Sequence, residues 1–190
     1  MRNLTTRTAF AAILILVAGC DKAGKQADGN AAVSPKAAEA AGNATIADGV
    51  AANASDSKFA AATKAVGLDK TLAGPGPYTV LVPSDEAFGK LPAGALDTLM
   101  KPDSRAQLTG VLTYHILPGT ILTADIAKAI ENGKGKAVLA TMNGATLTAT
   151  KEGDAIILTD AAGTKATISG DEDKRSNGVV HQIDAVLMPS

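Results

Sequence analysis

The side chains that could do chemistry are few and widely spaced. The 190 residues hold two histidines, His115 and His181, 66 positions apart, and one cysteine, Cys20. A zinc site needs three or four nitrogen, sulfur or carboxylate ligands, so this supply is thin. One cysteine also excludes an intramolecular disulfide framework. Asp171-Glu172-Asp173 could add carboxylates, but the run lacks the glycine-centred ladder of a calcium loop. It reads as a solvated acidic turn leading into Lys174-Arg175. For nucleophilic catalysis the available set is Ser84, His181 and Asp184. His181 lies in phase with Val179 and Ile183, and Asp184 falls in the opposite phase, so strand alternation places them on opposite faces. Ser84 reads as a helix cap, and the chain has no Gly-x-Ser-x-Gly elbow. No glycine-rich phosphate loop follows a strand: Gly74-Pro75-Gly76-Pro77 precedes one, and its prolines lack N–H donors. The expectation is no metal, no cofactor and no enzyme.

Composition narrows the partners. Lys and Arg number 18 against 19 Asp and Glu, a formal net charge of −1. A near-neutral chain has no general attraction to a phosphate backbone, so nucleic acid is not expected as a partner. Aromatics are 3% of residues, with no Trp, which argues against base stacking and against an aromatic sugar site. Apolar residues at 46% are enough for a sizeable core.

The elements that must position these residues follow from periodicity and turn chemistry. Ser55-Asp56-Ser57 offers cap oxygens, Phe59, Ala62 and Val66 follow at helical spacing, and Gly67 is a stop. Tyr78–Val82 reads as a buried strand ended by Pro83. Ser84 then caps a short helix, with Asp85 and Glu86 placed to suit its dipole. Pro92–Met100 reads as a helix with Leu96, Leu99 and Met100 inward. Pro102-Asp103 opens another, whose stripe of Leu108, Val111, Leu112, His115 and Ile116 runs until Pro118-Gly119. Burial is the natural reading of His115, as a satisfied imidazole fixing the helix end. Tyr114 points elsewhere and reads as half-exposed. Thr123 caps a helix carrying Ile126 and Ile130, and Gly133 closes it. From Ala137 the period changes to that of strands: 137–141, 145–150, 155–159, 165–169 and 179–188, separated by turn residues such as Asn143-Gly144 and Asn177-Gly178. Helices first and strands later indicate an α+β fold.

The first 53 residues read differently. Arg2 and Arg7 precede an uncharged run from Ala9 to Ala18, half the ~20 residues a spanning helix needs and the length of a signal's apolar region. Val17-Ala18-Gly19-Cys20 resembles a bacterial lipobox. That resemblance implies a signal peptide over 1–19, cleavage before Cys20, and a diacylglycerol thioether on the Cys20 sulfur. Loss of Arg2 and Arg7 would leave 18 − 2 = 16 basic against 19 acidic side chains, a net of −3. Residues 20–53 then form a lipidated, Ala- and Gly-rich tether with little to bury, spanning roughly 30 Å as a coil. Its last part, from Thr45, can join the domain as a first short helix. The domain proper is expected over 54–190.

Three segments of that domain carry a more specific likeness. Tyr78–Phe88 (YTVLVPSDEAF), Leu112–Gly119 (LTYHILPG) and Asn177–Pro189 (NGVVHQIDAVLMP) resemble, in order and spacing, the signatures of the fasciclin (FAS1) family. Leu81 and Ser84 stand where Phe and Thr are common in that family. The resemblance implies a wedge-shaped, antiparallel, β-sandwich-like sheet of about seven strands with several packed helices. It marks Ser84, Asp85, Asn177, Gly178, His181 and Asp184 as motif positions. It implies adhesion or protein contact at the outside of a cell, with Tyr114 and His115 as the partner-contact pair. The expected protein is a monomeric head, anchored to the membrane through Cys20 on the periplasmic side of the inner or outer membrane or at the cell surface. Its expected partner is a protein or a glycan. The alternative is a periplasm-facing protein that holds a small apolar ligand or lipid between helices and sheet, or an envelope-maintenance factor.

Overall fold

The computed structural model describes residues 43–189. The signal, Cys20 and most of the tether lie outside the described residues. Helix α1 (Ile46–Ala52) opens them, capped by Thr45, whose hydroxyl accepts from the Asp48 N–H while the Asp48 carboxylate accepts from the Thr45 N–H. Ile46 and Val50 of α1 are buried in the core. This is the first short helix expected from Thr45, ahead of residue 54: two well-spaced apolar side chains suffice to seat a capped helix.

Helices α2 (Ser57–Val66) and α3 (Leu68–Leu72) follow, joined through Gly67, whose left-handed φ of 84° ends α2. Strand β1 (Tyr78–Pro83) leads into α4 (Asp85–Gly89), α5 (Ala95–Leu99) and α6 (Arg105–Tyr114). Strand β2 (Ile116–Pro118) and α7 (Thr123–Asn132) precede β3 (Lys136–Ala140), β4 (Thr146–Glu152), β5 (Ala155–Thr159), β6 (Lys165–Arg175) and β7 (Gly178–Ile183). The fold is α+β, with the seven strands in the order β2-β1-β7-β6-β5-β4-β3. The two ends of the sheet approach each other, and the Met142 N–H donates to the Ile116 carbonyl at 2.8 Å. The sheet is thus nearly closed.

Several local expectations change. The sheet is mixed rather than wholly antiparallel: β1 and β7 run parallel, Tyr78 opposite Gly178 through Pro83 opposite Ile183. Helix α6 stops at Tyr114, not at Pro118, because Ile116 and Leu117 pair with Val80 and Thr79 as a strand. Met100 is exposed rather than inward. The acidic run 171–173 is not a turn; it lies within β6, at the register shift between Ser169 and Asp173. Strand β7 ends at Ile183, and Val186 and Leu187 are buried in the irregular segment beyond it.

Two cores share the sheet. One lies under α1, α2, α4 and α6 and holds Phe59, Leu72, Val80, Val82, Leu112 and Val180. The other lies under α7 and holds Leu81, Tyr114, Ile126, Leu147, Leu158 and Ile183. Adjacent residues of β1 serve opposite cores, so its sequence is a continuous apolar run instead of an alternating one. Strands β3 and β4 alternate, with Ala137, Leu139, Leu147 and Ala149 inward.

Candidate functional site

The motif residues converge on the ends of β1 and β7, where each is held by a specific internal bond. Asn177 does the most. Its side-chain oxygen accepts from the Ile46 N–H at 2.8 Å, and its amide nitrogen donates to the carbonyls of Leu72 and Gly74 at 2.7 and 2.8 Å. One residue thus ties the start of α1 and the end of α3 to the start of β7, satisfying groups that helix ends leave orphaned. Gly178 lets β7 approach β1. A Cβ at this position would overlap the Tyr78 carbonyl and lie 2.9 Å from the Ile46 side chain, and its φ of 152° is one that side-chain-bearing residues rarely adopt.

At the other end of β1, Ser84 caps α4. Its hydroxyl accepts from the Ala87 N–H at 3.2 Å, and its own N–H donates to the Ile183 carbonyl at 3.1 Å. The Asp85 carboxylate accepts from the Ser57 hydroxyl and, at 2.9 Å, from the Lys58 N–H, fastening α4 to the start of α2. Desolvation pushes the Asp85 carboxyl up, but the Ser57 and Lys58 contacts hold it below its ordinary value. Asp184 accepts from the Thr167 N–H at 2.6 Å, and its own N–H donates to the Thr167 carbonyl at 3.2 Å.

The two histidines are both buried, each about 1% exposed. His115 is the cap residue of α6. Its Nδ1–H donates to the Val111 carbonyl at 2.8 Å, and its Nε2 accepts from the Leu187 N–H at 3.2 Å. Both ring nitrogens are therefore satisfied and the tautomer is set by the two bonds. Phe59 and Tyr114 meet the ring edge-on, with centroids at 6.2 and 6.5 Å. Burial drives the imidazole down to about 4, against the Val111 bond and the Asp160 charge. His181 donates from Nε2 to the Ile121 carbonyl at 2.7 Å. Burial lowers it too, opposed by the Ile121 bond and by Glu172.

Tyr114 is fully buried, not half-exposed, and its hydroxyl donates to the Thr146 carbonyl at 3.0 Å. Tyr114 is the last residue of α6, and the flank it occupies packs into the α7-side core instead of facing solvent. The structure brings Tyr114 and His115 together, and both face inward. It does not bring Ser84, His181 and Asp184 into a hydrogen-bonded set. Among the described residues, no group of three or more His, Cys, Asp or Glu converges as a metal site.

Sequence reasoning missed three fastenings. The Thr79 hydroxyl donates to the Gly119 carbonyl and accepts from the Ile121 N–H, both at 2.8 Å. The Glu172 carboxylate accepts from the Thr123 N–H. Burial raises that carboxyl, but Thr123, His181 and Lys174 hold it below its ordinary value. Buried Asp160 accepts from the Thr164 and Met188 N–H groups at 2.8 and 2.9 Å, pinning the chain beyond β7. Only Asp160 carried a signal, an Asp opening the turn Asp160–Gly163.

A nearly closed mixed sheet between two cores, with its motif residues spent on internal fastenings, defines the class of protein as an α+β domain. The chain belongs to the fasciclin (FAS1) family: the fasciclin domain model matches residues 55–189. It is 35% identical over 161 residues to Protein sll1483 of Synechocystis, covering 84% of this chain and 81% of that one. It is 34% identical over 124 residues to the cell surface glycolipoprotein MPB83 of Mycobacterium bovis, covering 65% of this chain and 49% of that one. Among solved structures, a FAS1 domain pair from the insect cell adhesion molecule fasciclin I matches with a TM-score of 0.68 at 18% identity, over 76% of this chain and 51% of that one.

Proposed function

We propose that this chain is a non-enzymatic adhesion or protein-binding module, displayed at a bacterial envelope on a lipid attached to Cys20. The observation that carries the reading is the commitment of the reactive side chains. His115, His181, Ser84 and Asp184 each serve an internal backbone group, so what the fold offers a partner is its surface. The lipobox supports the anchor, as does the likeness to a relative whose name is a cell surface glycolipoprotein. Two or three acyl chains on one cysteine hold a protein on a bilayer far more firmly than one, and many displayed copies turn weak contacts into avidity. The burial of Tyr114 and His115 moves the expected contact away from that pair: they hold the scaffold, and the partner meets other residues.

The test is attachment of cells with and without the gene, together with mass spectrometry of the mature N-terminus. Attachment that falls on deletion and returns with the wild-type gene, with a thioether on Cys20, is the expected result. Unchanged attachment counts against adhesion, and a bare Cys20 counts against the anchor.

A second reading has its own observation. A cavity of about 440 Å³ lies among α1, α2 and α3, lined by Ala47, Val50, Ala51, Ala60, Leu72 and Ala73 and, among polar residues, by Asp48, Thr63, Lys64, Asp69 and Lys70. It sits between helices rather than between helices and sheet, and it is within the size range of small-ligand sites. Native mass spectrometry of protein extracted from membranes tests this reading: a co-purifying apolar ligand supports it, and a bare mass opposes it.

A further inference from the structure

The segment that follows β7 is buried without being part of the sheet. Residues 185–189 run in irregular conformation past the end of the strand. Yet Val186 is seated in the core under α1, α2, α4 and α6, and Leu187 in the core under α7. Ala185 and Met188 pack against the same two cores from partly buried positions. The segment is thus a strap across both cores. Among the described residues, it makes two hydrogen bonds to the rest of the protein. The Leu187 N–H donates to His115 Nε2 at 3.2 Å, and the Met188 N–H donates to the Asp160 carboxylate at 2.9 Å.

Both acceptors are titratable side chains. The ends of β1 are fastened differently: the Tyr78 N–H donates to the Asn177 carbonyl at 3.0 Å and the Ser84 N–H to the Ile183 carbonyl at 3.1 Å. A carbonyl accepts at any ordinary pH. His115 Nε2 accepts only while the ring is neutral, because Nδ1 already carries the hydrogen that bonds to Val111. A proton on Nε2 sets two N–H groups against each other in a buried site. Asp160 accepts from Met188 through one oxygen and from Thr164 through the other, so a proton on either turns an acceptor in use into a donor. Around the ring, α2 presents Phe59, α6 presents Val111 and Tyr114, and the strap presents Leu187, none of them charged. Burial and the Asp160 charge raise the Tyr114 phenol and keep it neutral. The charge that reaches the ring is that of Asp160, and it opposes the burial that drives the imidazole down. At the root of the strap, the Asp184 N–H donates to the Thr167 carbonyl at 3.2 Å, and Lys90 donates to the Asp184 carbonyl at 2.7 Å.

We propose that residues 185–189 are an acid-released strap: proton uptake at His115 and Asp160 frees them from both cores while β1 and β7 stay paired. The release is local because the bonds that fail are the strap's own. The root and the ends of β1 rest on backbone carbonyls, which do not titrate. The device has a direction. In neutral surroundings both acceptors are available and the strap is closed. As pH falls, the open form takes up a proton that the closed form excludes, so opening gains on closure. Each pH unit through which His115 alone prefers the open form to be charged is worth up to about tenfold in that equilibrium. What opening uncovers is apolar, the seats of Val186 and Leu187. Acid thus turns a sealed head into one with an exposed hydrophobic seam. This goes beyond the adhesion reading and does not depend on it.

The test is amide hydrogen exchange of the full chain, isotope-labelled and held in detergent micelles, followed by nuclear magnetic resonance at pH 7.5 and pH 4.5. Each rate is compared with the intrinsic rate at the same pH, so that protection factors are read. The expected result is a fall of about tenfold or more in the protection of Leu187 and Met188 at pH 4.5. Tyr78 and Ser84 should stay within about twofold of their values at pH 7.5. His115→Gln offers Leu187 a carboxamide oxygen that does not titrate, so in that variant the fall should shrink to about threefold or less. Asp160→Asn sets an NH₂ group against Met188 or Thr164, so strap protection should already be lower at pH 7.5, by about tenfold. Thermal unfolding checks that both variants fold, and the wild-type comparison decides the matter without them. Equal strap protection at the two pH values overturns the proposal. So does a fall shared equally by Tyr78 and Ser84, since the whole domain then opens. An equal fall in wild type and His115→Gln also overturns it, because the proton then acts elsewhere.

Discussion

The two halves of the sheet are built from similar residues and serve opposite purposes. Around β1 and β7 both faces are covered, and almost every polar group has a named partner inside the molecule. From β3 to β6 the outer side is partly open, with Val138 66% exposed, and the hydroxyls of Thr146, Thr148, Thr150, Thr159 and Thr167 bond to no described protein group. The FAS1 signatures concentrate in the first half and its immediate neighbours. The motif is therefore the part of the molecule least available to anything outside it. A signature can mark a family because it is hard to change, and here the difficulty lies in packing and not in recognition.

The sharpest way to break this comparison is Gly178→Ala. The added methyl would overlap the Tyr78 carbonyl in the covered half, and neither β1 nor β7 can retreat without opening a core. The expected loss is more than about 4 kcal/mol, enough to abolish folding of a marginally stable domain. Circular dichroism of the expressed chain reads this directly; a folded variant with near-native stability would mean that β1 and β7 are not so tightly apposed.

Asn177→Ala comes next. It leaves the Ile46 N–H and two carbonyls unpaired in partly buried positions, so a loss of about 3 kcal/mol is expected from denaturant unfolding. This pair also indicates what was legible beforehand. Asn177-Gly178 reads in sequence as a simple hairpin turn, because a turn signal is local. The three partners of Asn177 lie more than 100 positions away, at Ile46, Leu72 and Gly74, and no local pattern reports them. The α+β class, the strand count and the buried character of His115 were all legible, since each rests on periodicity or on a long motif. The parallel β1–β7 pair was hidden because a continuous apolar run fits either direction. The early end of α6 was hidden because Leu112 to Ile116 keeps helical spacing right up to the point where tertiary pairing with β1 takes over. The burial of Tyr114 was hidden because a second core covers the other flank of the same helix.

His115 gives the covered half a pH signature. In the fold its imidazole stays neutral down to about 4, against an ordinary value of 6.5. Between those values the unfolded chain binds the extra proton, so stability rises with pH through this window. The contribution is fully present above about 6.5 and is lost as pH falls to about 4, for a total on the order of 3 kcal/mol. Protonation would put a hydrogen on the nitrogen that accepts from Leu187. Unfolding free energies at pH 4.5 and pH 7.5 should therefore differ by more in wild type than in His115→Gln. Equal pH dependence would place the ring in contact with solvent. His181, lowered in the same direction, adds to both curves and cancels in the comparison.

Tyr114→Phe is a milder probe of the same half. It removes one hydroxyl that reaches Thr146 across to β4 and keeps the ring, so about 1 kcal/mol of destabilisation is expected. The readout that matters is the ratio of stability to attachment. If Tyr114 is a scaffold residue, attachment of the still-folded variant stays at the wild-type level. Loss of attachment without loss of stability would return Tyr114 to the role of contact residue and would require the head to open around it.

The smallest stability effect is expected in the open half. Thr148→Val exchanges a hydroxyl for a methyl on a strand, at a position where the hydroxyl bonds to no described protein group. Strands favour valine at least as well as threonine, and no buried polar group is left unpaired. The change in unfolding free energy should stay within about 0.5 kcal/mol, and its sign can be stabilising. Threonine is an ordinary strand former, and Thr148 stands half-exposed on β4, so a near-neutral exchange is what its position calls for. A destabilisation comparable to Tyr114→Phe would show that the face is packed against something within the protein, and the contrast between the two halves of the sheet would disappear.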